Sequence, residues 1–159
     1  MSDLNNMEYV DMAITWTHDQ IIIEGTSYST VLVQDLLVTA FEGGCNYWLD
    51  SVMTVYPPGQ NYADYKKGGK YYQVDGATEG CYNVWRFEGG KVHLFLQPEC
   101  AEDHDQKRFD FTFENAVKGL ELMKEKHPRH WHDAMNDNSD AITADVWLQL
   151  CLFGEVVYG

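Results

Sequence analysis

Three histidines lie within the six-residue run HPRHWH, and histidine is a common metal ligand, so this run is a candidate metal site. They are His127, His130 and His132, and Asp133 follows directly. A zinc site needs imidazoles that converge on one point, and positions 127 and 130 would converge at i and i+3 on a helix. Pro128 lies between them, and so a helix end followed by a new helix start explains the run better. These histidines are therefore weak metal candidates, and the sequence predicts no metal or other cofactor.

Tyrosines and lysines are interleaved in one segment of the chain. The residues concerned are Tyr62, Tyr65, Lys66, Lys67, Lys70, Tyr71 and Tyr72. Aromatic rings stack on a nucleobase and ammonium groups attract its phosphates, so this composition is typical of a nucleotide or small-anion site. Tyr47 and Trp48, which follow two glycines in AFEGGCNYW, would form the back wall of such a pocket. The other interpretation is a surface loop over the sheet, with Tyr47 and Trp48 as core aromatics.

Sequence motifs for nucleophilic catalysis and phosphate binding are missing. No G-x-S-x-G and no G-x-x-x-x-G-K-[ST] occurs. The four cysteines, Cys45, Cys81, Cys100 and Cys151, have no C-x-x-C spacing and no neighbouring histidine. We therefore expect reduced, buried thiols, and a binding protein rather than an enzyme.

Charge is distributed unevenly along the chain, whose net charge is -14. Residues 1–65 contain nine Asp and Glu, residues 130–159 contain five, and neither segment contains Lys or Arg. A negative field of this kind opposes direct contact with nucleic acid and favours a basic protein surface. The alternative is that the charge only keeps the protein in solution. The candidate partner contacts are Asp11, Asp19, Glu24, Asp35, Glu42, Asp50, Asp137, Asp140 and Asp145.

The elements that position the front of the chain are predicted from apolar periodicity and turn residues. Residues 13–17 and 20–24 are rich in β-branched side chains and predict a β-hairpin. A helix should follow, capped by Ser27 or Ser29 and closed by Gly43 in the left-handed conformation. Its predicted buried stripe is Val33, Leu36, Leu37 and Ala40.

The middle of the chain divides into a loop and a second predicted hairpin. Residues 56–80 are rich in Pro, Gly, Tyr and Lys and predict a long surface loop. The run YNVWRFEGGKVHLFLQP then predicts two strands around a Gly89-Gly90 turn. Its alternation places Trp85, Phe87, Val92, Leu94 and Leu96 on a dry face, and Arg86, Glu88, Lys91 and His93 on a wet face.

A charged connector, a strand and two helices are predicted next. Residues 101–108 form the connector, and RFDFTF, residues 108–113, alternates like a strand. The first helix begins near Thr112 and stops at Pro128, where a short helix restarts with proline at its first position.

The last predicted helix is capped by Asn138 or Ser139 and ends at Gly154. It should pack Ile142, Val146, Leu150 and Phe153 into the core, and residues 155–159 should add a short strand. Together these elements predict one α+β domain over residues 1–159, an antiparallel sheet covered by two or three helices.

No apolar run reaches the roughly 18 residues of a membrane span. The acidic beginning of the chain also lacks the basic and apolar regions of a signal peptide. We therefore expect a protein of the cytoplasm without a membrane partner.

Two motifs resemble a group of small proteins encoded by bacteriophages and prophages. The first is A-F-E-G-G-x-x-Y-W at residues 40–48, and the second is D-A-x-T-A-D-x-x-L-Q-x-x-L-F-G-E-V-x-Y-G at residues 140–159. The resemblance implies a phage origin and brings no catalytic residues. Small acidic phage proteins are often inhibitors of host defence systems, and a member of this group would act in the host cytoplasm.

Two functional hypotheses follow. The first is a non-catalytic acidic phage protein that binds and inhibits a host factor, a defence component with a basic surface. The alternative is a small-ligand binder that sequesters a nucleotide or signalling molecule through the Tyr/Lys segment together with Tyr47 and Trp48.

Overall fold

Two antiparallel three-stranded sheets organise the described part of the chain, which comprises residues 14–16, 20–57 and 80–159 of the computed structural model. Helices pack between and beside these sheets, and so the fold is α+β, as predicted. Several predicted site residues lie outside the described residues: Asp11, Asp19, Tyr62, Tyr65, Lys66, Lys67, Lys70, Tyr71 and Tyr72.

The first sheet contains β1 (Ile14–Trp16), β2 (Gln20–Ile23) and β3 (Thr26–Ser29), with β2 in the centre. The predicted β1–β2 hairpin is confirmed. Strand β3 was not predicted, because its sequence TSYS lacks apolar alternation. It forms because Glu24 and Gly25 both have positive φ, 49° and 85°, which matches the two-residue turn that suits a hairpin.

Helix α1 (Thr30–Thr39) begins where the sequence indicates, since the Ser29 side chain accepts a hydrogen bond from the Val31 backbone N at 3.1 Å. Its predicted apolar stripe is buried. The end differs from the prediction, because the helix widens into a π-helical turn over Ala40–Gly44. Gly43 has φ 160° there, which is close to extended and not the predicted left-handed closure.

The second sheet contains β4 (Leu49–Val55), β5 (Lys91–Leu96) and β6 (Arg108–Phe111), with β5 in the centre. Its inner face is made by alternate residues of β5, which are buried as predicted. The register places Val92 between Thr54 and Phe111.

The predicted hairpin around Gly89-Gly90 is wrong. The chain before these glycines forms the helical turn α2 (Gly80–Asn83) and a 3-10 turn (Val84–Arg86) instead of a strand. A side chain at position 90 would overlap the Val84 carbonyl, so Gly90 allows a close backbone approach, while Gly89 has φ 86° in the turn before β5.

The predicted wet face is therefore only partly correct. Lys91 and His93 do project away from the core and contact Asp110 on β6, at 3.2 and 2.7 Å. Arg86, in contrast, is fully buried and donates hydrogen bonds to Asn83 Oδ1 at 3.2 Å and to Thr30 Oγ1.

The remaining helices are α3 (Pro98–His104), α4 (Phe113–Lys126), α5 (Pro128–Met135) and α6 (Ala141–Phe153). Helix α3 lies where a connector was predicted, because a short polar helix carries no clear apolar period. Helices α4 and α5 begin at the predicted residues, and Thr112 caps α4 through a reciprocal pair of hydrogen bonds with Asn115.

Helix α6 lies centrally, in contact with α1, α4, α5 and β6. It ends at Gly154 with φ 79°, as predicted, but its cap is Asp140 and not Asn138 or Ser139. Ile142 is 64% exposed, against the prediction that it packs in the core. The helix is apolar on almost every side, so sequence periodicity does not identify the buried face.

Residues 155–159 do not form the predicted strand. None of the helices within the described residues combines the length and apolar composition that crossing a membrane requires.

Candidate interaction surface and ligand cleft

The segment after α1 is anchored to α6 by one carboxylate. Asp145 accepts hydrogen bonds from Trp48 Nε1 at 2.8 Å, from the Tyr47 hydroxyl and, at 3.5 Å, from Cys45 Sγ. Gln149 Nε2 adds a fourth donor at 2.9 Å. The Cys-Asn-Tyr-Trp sequence therefore holds the π-helical turn against α6 through side-chain hydrogen bonds.

Trp48 and Tyr47, the two predicted ligand contacts that the structure describes, occupy different environments. Trp48 is fully buried, stacked on Tyr158 at 5.9 Å and edge-on to Phe153 at 5.4 Å between ring centroids. Tyr47 is 51% exposed. Only Tyr47 is therefore accessible to a ligand or partner without rearrangement of the core.

The surroundings of Asp145 favour the protonated forms of its neighbours. Burial, together with the negative charge of Asp145, raises the pKa of the Cys45 thiol and of the Tyr47 hydroxyl. Burial likewise raises the pKa of Cys100 and Cys151, and all four cysteines are free. These three thiols lack the lowered pKa of a reactive nucleophile.

Gln149, fully buried in α6, holds the segment that follows the helix. Its Oε1 accepts hydrogen bonds from the backbone N of Val157 at 2.7 Å and of Tyr158 at 2.8 Å. Its Nε2 donates to the Tyr158 carbonyl at 3.1 Å. The backbone of this segment is thus paired with a side chain and not with a strand, which explains why the predicted strand is absent.

The two segments without Lys and Arg meet at the joint between α1 and α6. A side chain at Gly44 would lie 3.0 Å from the Ala141 carbonyl, so the π-helical turn packs directly on the first turn of α6. Five predicted partner contacts lie on the elements that form this joint or next to them, and we call them the acidic face: Asp35, Glu42, Asp137, Asp140 and Asp145. The other two described candidates, Glu24 and Asp50, lie on the β2–β3 turn and on β4.

The carboxylates of Asp35 and Asp137, one from each segment, are close enough to interact electrostatically. Burial, and then the negative charge of Asp137, raises the pKa of Asp35. Within the described residues, no lysine or arginine forms an ion pair with Asp35 or Asp137. The repulsion between the two carboxylates is therefore not offset by a neighbouring described cation.

Asp140 has a structural role in addition to its place on the acidic face. Its Oδ1 accepts a hydrogen bond from the Thr143 backbone N at 2.9 Å, and this bond is the main reason that its pKa lies below the ordinary value of 3.8. Its stabilising effect is therefore complete above the unfolded-state pKa and is lost as the pH falls through the lower folded-state pKa.

We expect Asp140→Ala to lower the free energy of unfolding by about 1 kcal/mol at about pH 7, because the first turn of α6 loses its cap. The difference from the parent should shrink at about pH 3 and below. Urea unfolding at both pH values measures the difference in unfolding free energy between the variant and the parent. Asp140→Asn, which keeps the capping oxygen, should stay close to the parent at neutral pH; an equal loss for both variants would contradict the capping role.

Two exposed apolar side chains adjoin the carboxylates of the acidic face. Ile142 lies one helical turn before Asp145, and Tyr47 donates its hydroxyl hydrogen bond to that same carboxylate. Both side chains are more than half exposed. Exposed apolar side chains and carboxylates therefore lie next to each other on this surface. Sequence periodicity missed Ile142 because it placed this residue in the core.

A second feature is a cleft of about 630 Å³ between the β2–β3 hairpin and helices α4 and α5. Its apolar wall includes Leu122 of α4 and the rings of Tyr28 and Trp131, which meet edge to face at 5.5 Å between centroids. Lys124 Nζ lies 5.7 Å from the centre of the Trp131 ring. This cleft was not predicted from the sequence, because its walls come from separate parts of the chain.

Two of the three histidines of HPRHWH have hydrogen-bond partners of their own, and the third, His127, lies beside the ring of His130. His130 Nδ1 pairs with Thr143 Oγ1 at 2.9 Å, and His132 lies against Asn136. The His127 and His130 rings are 6.4 Å apart, and burial, then His130 and Lys126, lower the pKa of His127. Across residues 20–57 and 80–159, no group of three or more His, Cys, Asp or Glu side chains is arranged to hold a metal ion.

Comparison with known proteins finds no matching family, no matching curated protein and no matching solved structure.

Proposed function

We propose that this protein is a non-catalytic binding protein whose acidic face contacts a basic surface on a partner protein. The observation that carries the proposal is the meeting of two Lys- and Arg-free segments at the α1–α6 joint, where Asp35 and Asp137 approach each other. The motif resemblance to phage-encoded proteins favours a host factor, such as a defence component, as the partner, and inhibition as the result of binding.

The acidic face has the composition of a protein-binding surface. Binding energy at such surfaces is concentrated in a few apolar or aromatic side chains, and charges around them raise the association rate and select the partner. Tyr47 and Ile142 are the exposed apolar side chains, and Glu42 and Asp137 are exposed charges of the acidic face. Tyr47 is also fixed by its hydrogen bond to Asp145, which reduces the conformational entropy lost on binding.

A basic partner would relieve repulsion that the free protein already contains. In the free protein the negative charge of Asp137 adds to burial in raising the pKa of Asp35, and a lysine or arginine placed beside the two carboxylates would offset this charge. Binding should therefore weaken as salt screens these charges.

The test is capture of partners from a bacterial lysate by the immobilised protein at low and high salt. We expect Asp35→Asn/Glu42→Gln/Asp137→Asn to lose the captured protein, because three charges leave the acidic face. The matched control is Glu99→Gln/Glu102→Gln/Glu155→Gln, which removes three exposed charges elsewhere and should retain capture. Tyr47→Ala and Ile142→Ala should each weaken binding by about tenfold or more.

Equal loss in both triple variants would show a general effect of net charge and would contradict a localised acidic face. Capture that does not change with salt would contradict the electrostatic basis. Circular dichroism of each variant establishes that the fold is retained.

A further inference from the structure

We infer that the cleft between the β2–β3 hairpin and helices α4 and α5 is a binding site for a small organic cation, an ammonium or guanidinium group on an aliphatic stem. The site uses elements other than the acidic face and does not depend on the proposed protein partner.

The shape of the cleft suits a small molecule. Its volume of about 630 Å³ lies within the range of ordinary ligand sites, roughly 300 to 1,000 Å³. Leu122 and the rings of Tyr28 and Trp131 provide an apolar wall along which an aliphatic stem would pack. The edge-to-face contact between the two rings holds them in place and leaves ring surface beside the cleft.

Charge identifies the class of ligand. Among the described residues that line the cleft, three carry carboxylates, Glu24, Glu121 and Glu125, and two carry ammonium groups, Lys118 and Lys124. These described side chains have a net negative charge, and the carboxylates lie on both sides, on the hairpin and on α4. Carboxylates combined with aromatic faces favour organic cations, through Coulomb attraction and through the negative face of the ring.

Lys124 shows how a ligand would bind to the aromatic wall. Its ammonium group lies 5.7 Å from the centre of the Trp131 ring, within the range of a cation–π contact. The protein thus already places a cation of its own on this ring. An external ammonium or guanidinium group would use the same attraction and would compete with Lys124 for it.

Because of this competition, removing the charge of Lys124 should change the affinity in opposite directions for a cation and for an anion. Lys124→Met keeps the stem and removes the charge. If the ligand is a cation, this change should tighten binding by about 2- to 5-fold, because the ring loses its internal competitor. If the ligand were an anion held by Lys124, the same change would weaken binding.

The experiment is isothermal titration of the intact protein with agmatine and spermidine, with adipate as an aliphatic dianion for comparison. We expect agmatine or spermidine to bind and adipate not to bind. Trp131→Leu should weaken cation binding by about tenfold, and Glu125→Gln by several-fold. Glu102→Gln removes an exposed charge on α3 and should leave the affinity unchanged.

Trp131→Tyr is the control for a folding defect. It keeps an aromatic face and should retain most of the affinity. Thermal unfolding by circular dichroism compares the stability of both Trp131 variants with that of the parent. Three outcomes would overturn the proposal: no heat with either cation, tighter binding of adipate than of the cations, or weaker cation binding by Lys124→Met.

Discussion

Replacing Asp145 with alanine is expected to lower the free energy of unfolding by about 3 kcal/mol, one of the two largest effects that we expect from a single substitution. The carboxylate is the shared acceptor for Trp48 Nε1, the Tyr47 hydroxyl and Gln149 Nε2. Trp48 and Gln149 are fully buried, so water cannot replace the lost acceptor easily. Each buried donor without a partner costs about 1 to 3 kcal/mol.

Urea unfolding followed by circular dichroism measures the effect of Asp145→Ala. Asp145→Asn keeps one carbonyl oxygen as an acceptor and should lose clearly less stability than the alanine variant. Asp133→Ala, on the preceding helix, is a matched control for removing one carboxylate from the same Lys- and Arg-free segment, and should cost less than about 0.5 kcal/mol. Similar losses for Asp133→Ala and Asp145→Ala would show that the convergence on Asp145 has no special energetic role.

The second large effect is expected at the crossing of α4 and α6. Gly119 in α4 lies so close to α6 that an alanine Cβ would overlap Cys151 Sγ and lie 3.0 Å from Trp147 Nε1. Overpacking of this kind costs about 1 to 3 kcal/mol, which exceeds the gain of up to about 1 kcal/mol that alanine brings to a helix interior. Gly119→Val, which is larger and β-branched, should lose more than Gly119→Ala.

A double-mutant cycle isolates this contact. Cys151→Ala removes the sulfur that the new methyl group would meet, so Gly119→Ala should cost less in the Cys151→Ala background than in the parent. The free energies of unfolding of the four proteins supply the coupling energy. A coupling energy of zero would contradict a clash between the new methyl group and Cys151 Sγ.

The same crossing explains the buried Trp147 indole N–H, which has no hydrogen-bond partner in the described part of the chain. Trp147 Nε1 points toward the backbone of α4 at Gly119, where there is no side chain and no acceptor. The two helices therefore approach closely, and the Trp147 indole N–H is left without an acceptor.

Local signals predicted the starts of α1, α4 and α5 and the end of α6. The start of α1 at Ser27 or Ser29, the start of α4 near Thr112 and the end of α6 at Gly154 depend on residues adjacent in sequence, and the structure confirms all three. The second sheet was harder to predict, because β5 pairs with β4 and β6, which are distant in sequence. The Gly89-Gly90 pair looked like a local hairpin turn, whereas Gly90 allows the close approach to Val84.

The candidate surfaces depend even more than the second sheet on contacts between residues that are distant in sequence. The acidic character of both segments is visible in the sequence, but the Gly44–Ala141 contact that brings them together is not. Trp48 and Tyr47 are adjacent in sequence, yet one is buried and the other exposed. The nucleotide-binding alternative stays a prediction for the Tyr/Lys segment, which lies outside the described residues.

The central position of α6 has a consequence for biosynthesis. Leu36, Leu37 and Trp48 are fully buried, and the elements that carry them pack on a helix that the ribosome makes about a hundred residues later. Until α6 emerges, the apolar surface that α6 covers on these elements stays exposed, so the nascent polypeptide offers a site for a holding chaperone. Ribosome-stalled chains that end before residue 141 should therefore be cleaved readily by protease, and chains in which α6 has cleared the exit tunnel should become resistant.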